Sequence, residues 1–309
     1  MSILSAHHFH NEEAAYAYVE ARLWPHGPVC PRCGSLDRIG KMRGKSTRIG
    51  TYKCYSCRKP FTVKVGTIFE DSHVPMRHWL QVMFLMASSK KGISTNQIQR
   101  SLDCHMKTAW FIGHRLREAM RSGDLAPFGG GGGAVEVDET FWGTDTARIN
   151  KGLRRAAHMN KIMTLVDRKS GRARSIVVED LQLPTVAAVV SENVAREARL
   201  MTDEAYHYVP VGKQFAEHGS VNHRNEEYVS LADPTIHTQT VEGFFSIFKR
   251  GMRGIYQHCS KRHLHRYVAE FDFRYSNRIA LGIDDTARAD RMLAGVVGKR
   301  LTYRTTARA

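Results

Sequence analysis

The pattern of apolar and polar positions divides the chain into stretches of different period. Residues 1 to about 25 carry apolar positions at helical spacing and stop at Trp24-Pro25-His26-Gly27, which predicts one amphipathic helix. Between residues 28 and about 70 the runs are short and β-like, at Thr51-Tyr52-Lys53 and Phe61-Thr62-Val63-Lys64-Val65. Residues 75 to 123 return to helical spacing. Phe128 and the five glycines Gly129 to Gly133 follow; such a run predicts a linker or loop and reads as the clearest boundary in the chain. Beyond it Val135-Glu136-Val137-Asp138 alternates as a strand does, and Ile162 to Val166, Ser175 to Val178 and Leu200-Met201-Thr202 read as further strands. A helix is predicted from about Pro184 to Ala198, and residues 240 to 280 are strongly helical. Strands followed by a mixed section and helices predict an α/β domain.

Composition narrows the class. The chain has 309 residues, enough for one to three domains, and 42% of them are hydrophobic, enough for a real core. The net charge is +16, with 46 Lys and Arg against 30 Asp and Glu. That excess points to a polyanionic partner, because Lys and Arg release counterions when they neutralise phosphates. The first twenty residues lack a basic stretch followed by a long apolar run, and no segment approaches the ~18 apolar residues of a membrane span. The reading is a cytoplasmic protein with no membrane partner.

Four of the six cysteines form two CxxC knuckles, Cys30-Pro31-Arg32-Cys33 and Cys54-Tyr55-Ser56-Cys57, with 20 residues between them. Paired knuckles at this spacing can place four thiolates tetrahedrally around one Zn²⁺ in a zinc ribbon. Four thiolates leave no open position, so the ion is structural. Lys41, Arg43, Lys45, Arg48, Lys53, Arg58 and Lys59 crowd this module and predict a nucleic-acid contact. Cys104 and Cys259 read as packed residues.

The next segment offers Ser94 or Thr95 as an N-cap, an apolar face at Ile98 and Leu102, and a break at Asp103-Cys104-His105. A second helix follows through Ala109, Ile112, Leu116 and Met120, with Lys107, His114, Arg115, Arg117 and Arg121 expected on its outer side. Two short helices with a tight break, the second basic, predict a helix-turn-helix-like element.

Three acidic residues stand out by context. Asp138 lies in a strand, Asp203 directly follows one, and Glu242 begins the helix Val241 to Arg250. On that helix Val241, Phe244, Phe245 and Phe248 form a core stripe, while Glu242, Ser246, Lys249 and Arg253 form a neighbouring stripe. Converging carboxylates suit Mg²⁺ or Mn²⁺, and a two-ion site would activate the attacking oxygen and stabilise the leaving one. Lys249 would face a phosphate as a fixed charge. Glu139, next to Asp138, should face the other side of its strand.

The sequence resembles the DDE transposases of bacterial insertion sequences, in the group with an N-terminal zinc ribbon. The resemblance rests on Cys-Pro-Arg-Cys-Gly at 30–34, Val-Glu-Val-Asp-Glu-Thr at 135–140, Thr-Asp-Glu at 202–204, Val-Asn-His at 221–223 and His-Thr-Gln-Thr-Val-Glu-Gly-Phe-Phe-Ser at 237–246. It continues through Lys249-Arg250 to Phe273-Arg274-Tyr275. It implies an RNase H-like catalytic core with Asp138 on its first strand and Asp203 at the end of its fourth. It also implies a DNA partner, two Mg²⁺ or Mn²⁺ ions, and a homodimer assembled on DNA. The third metal position varies in this group, where Asn often stands in place of Gln239. His237, Gln239 and Glu242 compete for it, and Glu242 is favoured because Lys249 follows seven residues later. The implied catalytic set is Asp138, Asp203, Glu242 and Lys249.

The resulting plan is a helix and zinc ribbon over 1–72, a helix-turn-helix-like segment over 75–128, a catalytic domain over 134–280 and a tail over 281–309. His223 reads as a DNA contact or a support for the metal residues, against an ordinary loop histidine. Trp142 reads as packed rather than stacked on a base. Arg262, Arg266 and Arg274 are expected on one side of the last helix, where they could face phosphate, opposite the core stripe Leu264, Val268, Phe271 and Tyr275. Two other functions compete with transposition: a catalytically inactive DNA-binding regulator, and an RNase H-like nuclease that cuts without joining.

Overall fold

A computed structural model describes residues 2–145 and 155–302. In chain order the elements are α1 (Glu12–Leu23), β1 (Ile39–Lys41), β2 (Tyr52–Cys54), β3 (Pro60–Phe61), α2 (Met76–Ser88), α3 (Thr95–Leu102) and α4 (Met106–Met120). They continue with β4 (Ala134–Thr144), β5 (Met159–Asp167), β6 (Arg172–Val178), α5 (Leu183–Asn193), β7 (Arg199–Thr202), α6 (Tyr208–Gly212) and β8 (Glu217–Ser220). The last are α7 (Gln239–Gly251), α8 (Lys261–Ser276) and α9 (Asp285–Ala294). The chain forms two compact units, Met1–Arg121 with Ile283–Ala309, and Ser122–Gly282. Among the described residues no helix is long and apolar enough to cross a membrane.

In the first unit, Asn11 caps α1 by accepting the Ala14 N–H. The ribbon is the antiparallel sheet β1-β2-β3. Its core is small, built on Cys30, Cys54 and Phe61 with Trp24, Ile39, Tyr52, Cys57 and Val65 packed against them. The strand expected over Phe61 to Val65 stops at Phe61, and turns follow. Helix α2 buries Met76, Trp79, Leu80, Val82, Met83, Met86 and Ala87. Ser94 caps α3, and Asp103 ends it in the left-handed conformation at φ 47°. The segment expected as a tail holds α9, which packs on α2 through buried Met292 and Leu293.

Helix α4 buries its apolar stripe, but the basic side expected to face outward is mostly inside. His114, Arg115 and Arg117 are buried, whereas Lys107 and Arg121 are exposed. Arg115 donates to the carbonyls of Ile68, Glu70 and Leu301, and burial pulls its guanidinium down to about 10. Carbonyl oxygens satisfy the fork of donors that a phosphate would otherwise meet. The hairpin α3–α4 is present, but its cations largely tie this unit together.

The second unit is built on a five-stranded sheet in the order β6-β5-β4-β7-β8, with β5 antiparallel to its neighbours and β4, β7 and β8 parallel. Numbered within the unit this is 3-2-1-4-5 with only the second strand reversed, the RNase H-like order that the resemblance implied. One face carries Val135, Val137, Leu165 and Leu200 against Val186 and Val190 of α5 and Tyr208 and Val211 of α6. The other carries Ile162, Val166 and Ala173 against Val241, Phe244, Phe245 and Phe248 of α7 and Leu264, Val268 and Phe271 of α8. Both faces are covered, so Glu136 and Glu139 of β4 meet helices, α7 and α6, rather than water.

The glycine run is a packed turn inside this unit, not a linker. The N–H of Phe128 donates to Asn193 O, and Phe128 O accepts the N–H of Ala195, each at 2.8 Å. Gly129 has φ +77°, and a Cβ there would sit 2.5 Å from the Ala198 Cβ and 2.7 Å from Val135 Cγ2. Only glycine fits such a position without displacing a neighbour.

Candidate active site

The four cysteines of the two knuckles converge, with their Sγ atoms all within 4.8 Å of one another. Cys30 and Cys57 are 3.7 Å apart, as are Cys33 and Cys54. A tetrahedron of Zn–S bonds of about 2.3 Å has edges of about 3.8 Å, so the donor set and its spacing fit Zn²⁺. The backbone N–H groups of Cys57 and Ser56 pull the Cys54 thiol down to about 6, toward the thiolate that binds metal. Around this centre Lys41, Arg43, Lys45, Arg48, Arg58 and Lys59 are exposed and Lys53 is half-buried.

Asp138 lies within the central strand β4, and Asp203 directly follows its neighbour β7. The parallel register pairs Ala134 with Arg199, Val135 with Leu200 and Glu136 with Met201. The pairing stops there and β7 ends at Thr202; Asp203 follows directly, near enough for its charge to act on Asp138. Glu242 reaches the group from the first turn of α7, which covers the Asp138 face. Burial pushes the Asp138 carboxyl up to about 8, and the charges of Glu139, Asp203 and Glu242 push the same way, against the N–H of Glu139 donating at 2.7 Å. Burial likewise raises Asp203, helped by Glu139 and Glu204. A dication is what such a cluster of partly desolvated carboxylates accommodates. The three do not share single-ion spacing: among the described residues only the four cysteines have ligand atoms all within 4.8 Å.

A hydrogen-bonded frame surrounds Glu242. Thr238 Oγ1 donates to Glu242 Oε1 at 2.9 Å, and His223 Nε2 lies 3.2 Å from both atoms. The His223 N–H donates to Glu204 Oε2 at 3.0 Å, so the loop after β8 links the residue next to Asp203 with Glu242. His237 Nδ1 faces Arg168 Nη2 at 3.0 Å and Glu136 Oε1 at 3.3 Å, while Gln239 is exposed on the first turn of α7. Lys249 lies two turns beyond Glu242, about 10.5 Å along the helix, with Nζ 5.8 Å from the Phe245 ring centroid.

Other residues fall into place around this site. Glu139 faces the opposite side of the sheet, where it accepts the Tyr208 hydroxyl at 2.7 Å. Trp142 packs edge-on against Phe248. Arg274 is buried and paired with buried Glu270, so it does not face phosphate as expected; Arg262 is exposed, and Arg266 reaches His263 at 3.0 Å. Glu136, Arg168 and Thr238 were assigned no role from their sequence context. The available signal was the shared parity of Glu136 and Asp138 on one strand, which puts both on the same face.

Comparison with known proteins agrees with this architecture. Residues 10–60 match the transposase zinc-ribbon domain, and residues 131–276 match the ISXO2-like transposase domain. The chain is 25% identical over 270 residues to an uncharacterised protein in transposable element ISH50 of Halobacterium salinarum, covering 81% of this chain and 86% of that one. Among solved structures, the cryo-EM simian T-cell lymphotropic virus intasome in complex with PP2A regulatory subunit B56 gamma has a chain matching at TM-score 0.28 and 10% identity. That match covers 63% of this chain and 65% of the other, under two-thirds of its length, and is too slight to bear on the fold. Over these two stretches the chain is similar to transposases, with a transposase zinc ribbon ahead of an ISXO2-like transposase domain.

Proposed function

We propose that this protein is an active DNA transposase that cleaves the ends of an insertion sequence and joins the freed 3′-hydroxyls to target DNA. The observation that carries this reading is the approach of Asp138, Asp203 and Glu242 from two parallel strands and a covering helix. Bound Mg²⁺ or Mn²⁺, as a pair of ions, would supply activation of the attacking oxygen and charge stabilisation of the leaving one. Asp138, Asp203 and Glu242 would hold those ions through carboxylate oxygens. Asp138 sits within β4, paired with β5 along its length, so its position is set by the sheet. Thr238 and His223 hold one oxygen of Glu242 and orient the other. Lys249 is assigned a fixed positive charge for the substrate phosphate.

The exposed cations of the ribbon are assigned to the phosphates of the element ends, with the helical hairpin beside them. Two ends have to be joined, so two copies are assigned to one DNA complex, acting on cytoplasmic DNA.

Incubating the full-length protein with Mg²⁺, element-end duplexes and a target plasmid tests this. Nicked ends and new strand joints are expected. Asp138→Ala should lower joining by about 10³-fold or more while end binding changes little. Joining at the wild-type rate in that variant would overturn the assignment. Cutting without joints would indicate a nuclease, and metal-independent binding without cutting would indicate a regulator.

A further inference from the structure

The first turn of α7 has no cap of its own. Thr238, at the N-cap position, makes no side-chain bond to the helix backbone and gives its hydroxyl to Glu242. The Val241 N–H donates instead to Glu136 Oε2, 2.8 Å away on β4. Glu136 is fully buried. Its other oxygen takes Arg168 Nε at 2.6 Å, and the same guanidinium donates to the carbonyls of Thr235 and His237 at 2.6 and 2.7 Å. A local cap would stabilise the helix wherever it lay; a cap reaching out from a strand fixes the helix to that strand. Here the strand is the one that carries Asp138 two residues later, on the same face. The capped residue immediately precedes Glu242.

We propose that Glu136 is a positioning residue that sets the separation of Asp138 and Glu242, and through it the site's affinity for divalent cations. This rests on the reading of those two residues as metal ligands. A buried ion pair is a poor source of stability in itself, because desolvation offsets the attraction. What the Glu136–Arg168 pair provides is geometry, since Arg168 fixes the carboxylate that in turn holds the first turn of α7. Partners one step removed from a metal ligand typically change metal affinity by about 10–100-fold when removed.

Mn²⁺ binding to the full-length protein, followed by the electron paramagnetic resonance of free Mn²⁺, tests the proposal. The wild type is expected to bind Mn²⁺ and Asp138→Asn to lose that binding. Glu136→Gln should raise the dissociation constant by about 10–100-fold and speed hydrogen exchange of the α7 first-turn amides. Arg168→Gln, which keeps the capping carboxylate but removes its charge partner, should weaken binding in the same direction and serves if Glu136→Gln does not fold. Val190→Ala, destabilising the core on the opposite sheet face, should leave Mn²⁺ affinity unchanged. Wild-type affinity in folded Glu136→Gln and Arg168→Gln, or an equal loss in Val190→Ala, would overturn the positioning role alone. Absence of Asp138-dependent Mn²⁺ binding in the wild type would overturn the ligand reading beneath it as well.

Discussion

The hydroxyl of Thr238 and the imidazole of His223 meet at the same atom, Oε1 of Glu242, at 2.9 and 3.2 Å. One carboxylate oxygen is thus held by the protein, and the other is left to act. The two rivals for the third metal position are differently placed: His237 faces Arg168 and Glu136, and Gln239 lies exposed. Glu242→Ala is expected to lower strand cleavage by about 10²-fold or more, as loss of a group that acts on the reacting centre does. His237→Ala should cost about 10-fold or less, acting through the segment that Arg168 holds. Gln239→Ala should behave nearly as wild type. Parallel kinetics on the three variants decide the matter, and a Gln239→Ala loss matching that of Glu242→Ala would move the third position there.

The zinc ribbon has only a small apolar core. Its folding energy is assigned to the four Zn–S bonds. The protein should contain one zinc per chain, and Cys54→Ser should lose it. Chelation should abolish end binding while the second unit, with cores on both sheet faces, keeps its own unfolding transition. Zinc assay, calorimetry and end binding on one sample check this. Undiminished end binding after complete zinc removal would contradict it.

Asp272 of α8 accepts the N–H of Ser175 at 2.8 Å and its hydroxyl at 2.6 Å. Burial pushes its carboxyl up to about 7 from an ordinary 3.8, although both Ser175 donors and Arg174 pull the other way. The folded state therefore keeps a proton that the unfolded chain releases. Below about pH 4 both states hold the proton and no penalty arises. Between about pH 4 and 7 the penalty grows by at most about 1.4 kcal/mol per unit, and above the folded value it is constant. Asp272→Asn should flatten this part of the stability curve. Melting temperatures of the two proteins from pH 4 to 7 provide the comparison, and parallel curves would show that Asp272 does not titrate in this way.

Much of the second unit was legible because its signals are local. Alternation around Asp138, a short apolar run ending at Asp203 and the Val241, Phe244, Phe245 and Phe248 stripe each follow from a two- or 3.6-residue period, and each is where the pattern put it. The CxxC spacing was equally local. What escaped depends on partners far away in sequence. Alternation puts Glu136 on the face opposite Val135 and Val137, but cannot tell water from a helix N-terminus there. Arg115 was expected on the outer side of its helix, and Arg274 where it could face phosphate, because nothing local announces the carbonyls of Ile68 and Glu70, or a buried acid beside a guanidinium. The segment expected as a tail is docked by buried Ala289, Met292, Leu293 and Val296 and by the pairing of Asp290 with Arg22.

The packed glycine turn at 129–133 also constrains how such proteins can be reassembled from parts. The two compact units separate between Arg121 and Ser122, whereas the most conspicuous low-complexity stretch begins seven residues later and is bonded into the second unit. A crossover between related elements would keep the second unit whole only if it fell before Asp124, whose carboxylate already pairs with Arg172. A crossover within the glycines would strand Phe128 on the wrong parent and remove its ring from the core beneath β4. Lineages that swap DNA specificity by recombination should therefore carry their junctions upstream of the glycines.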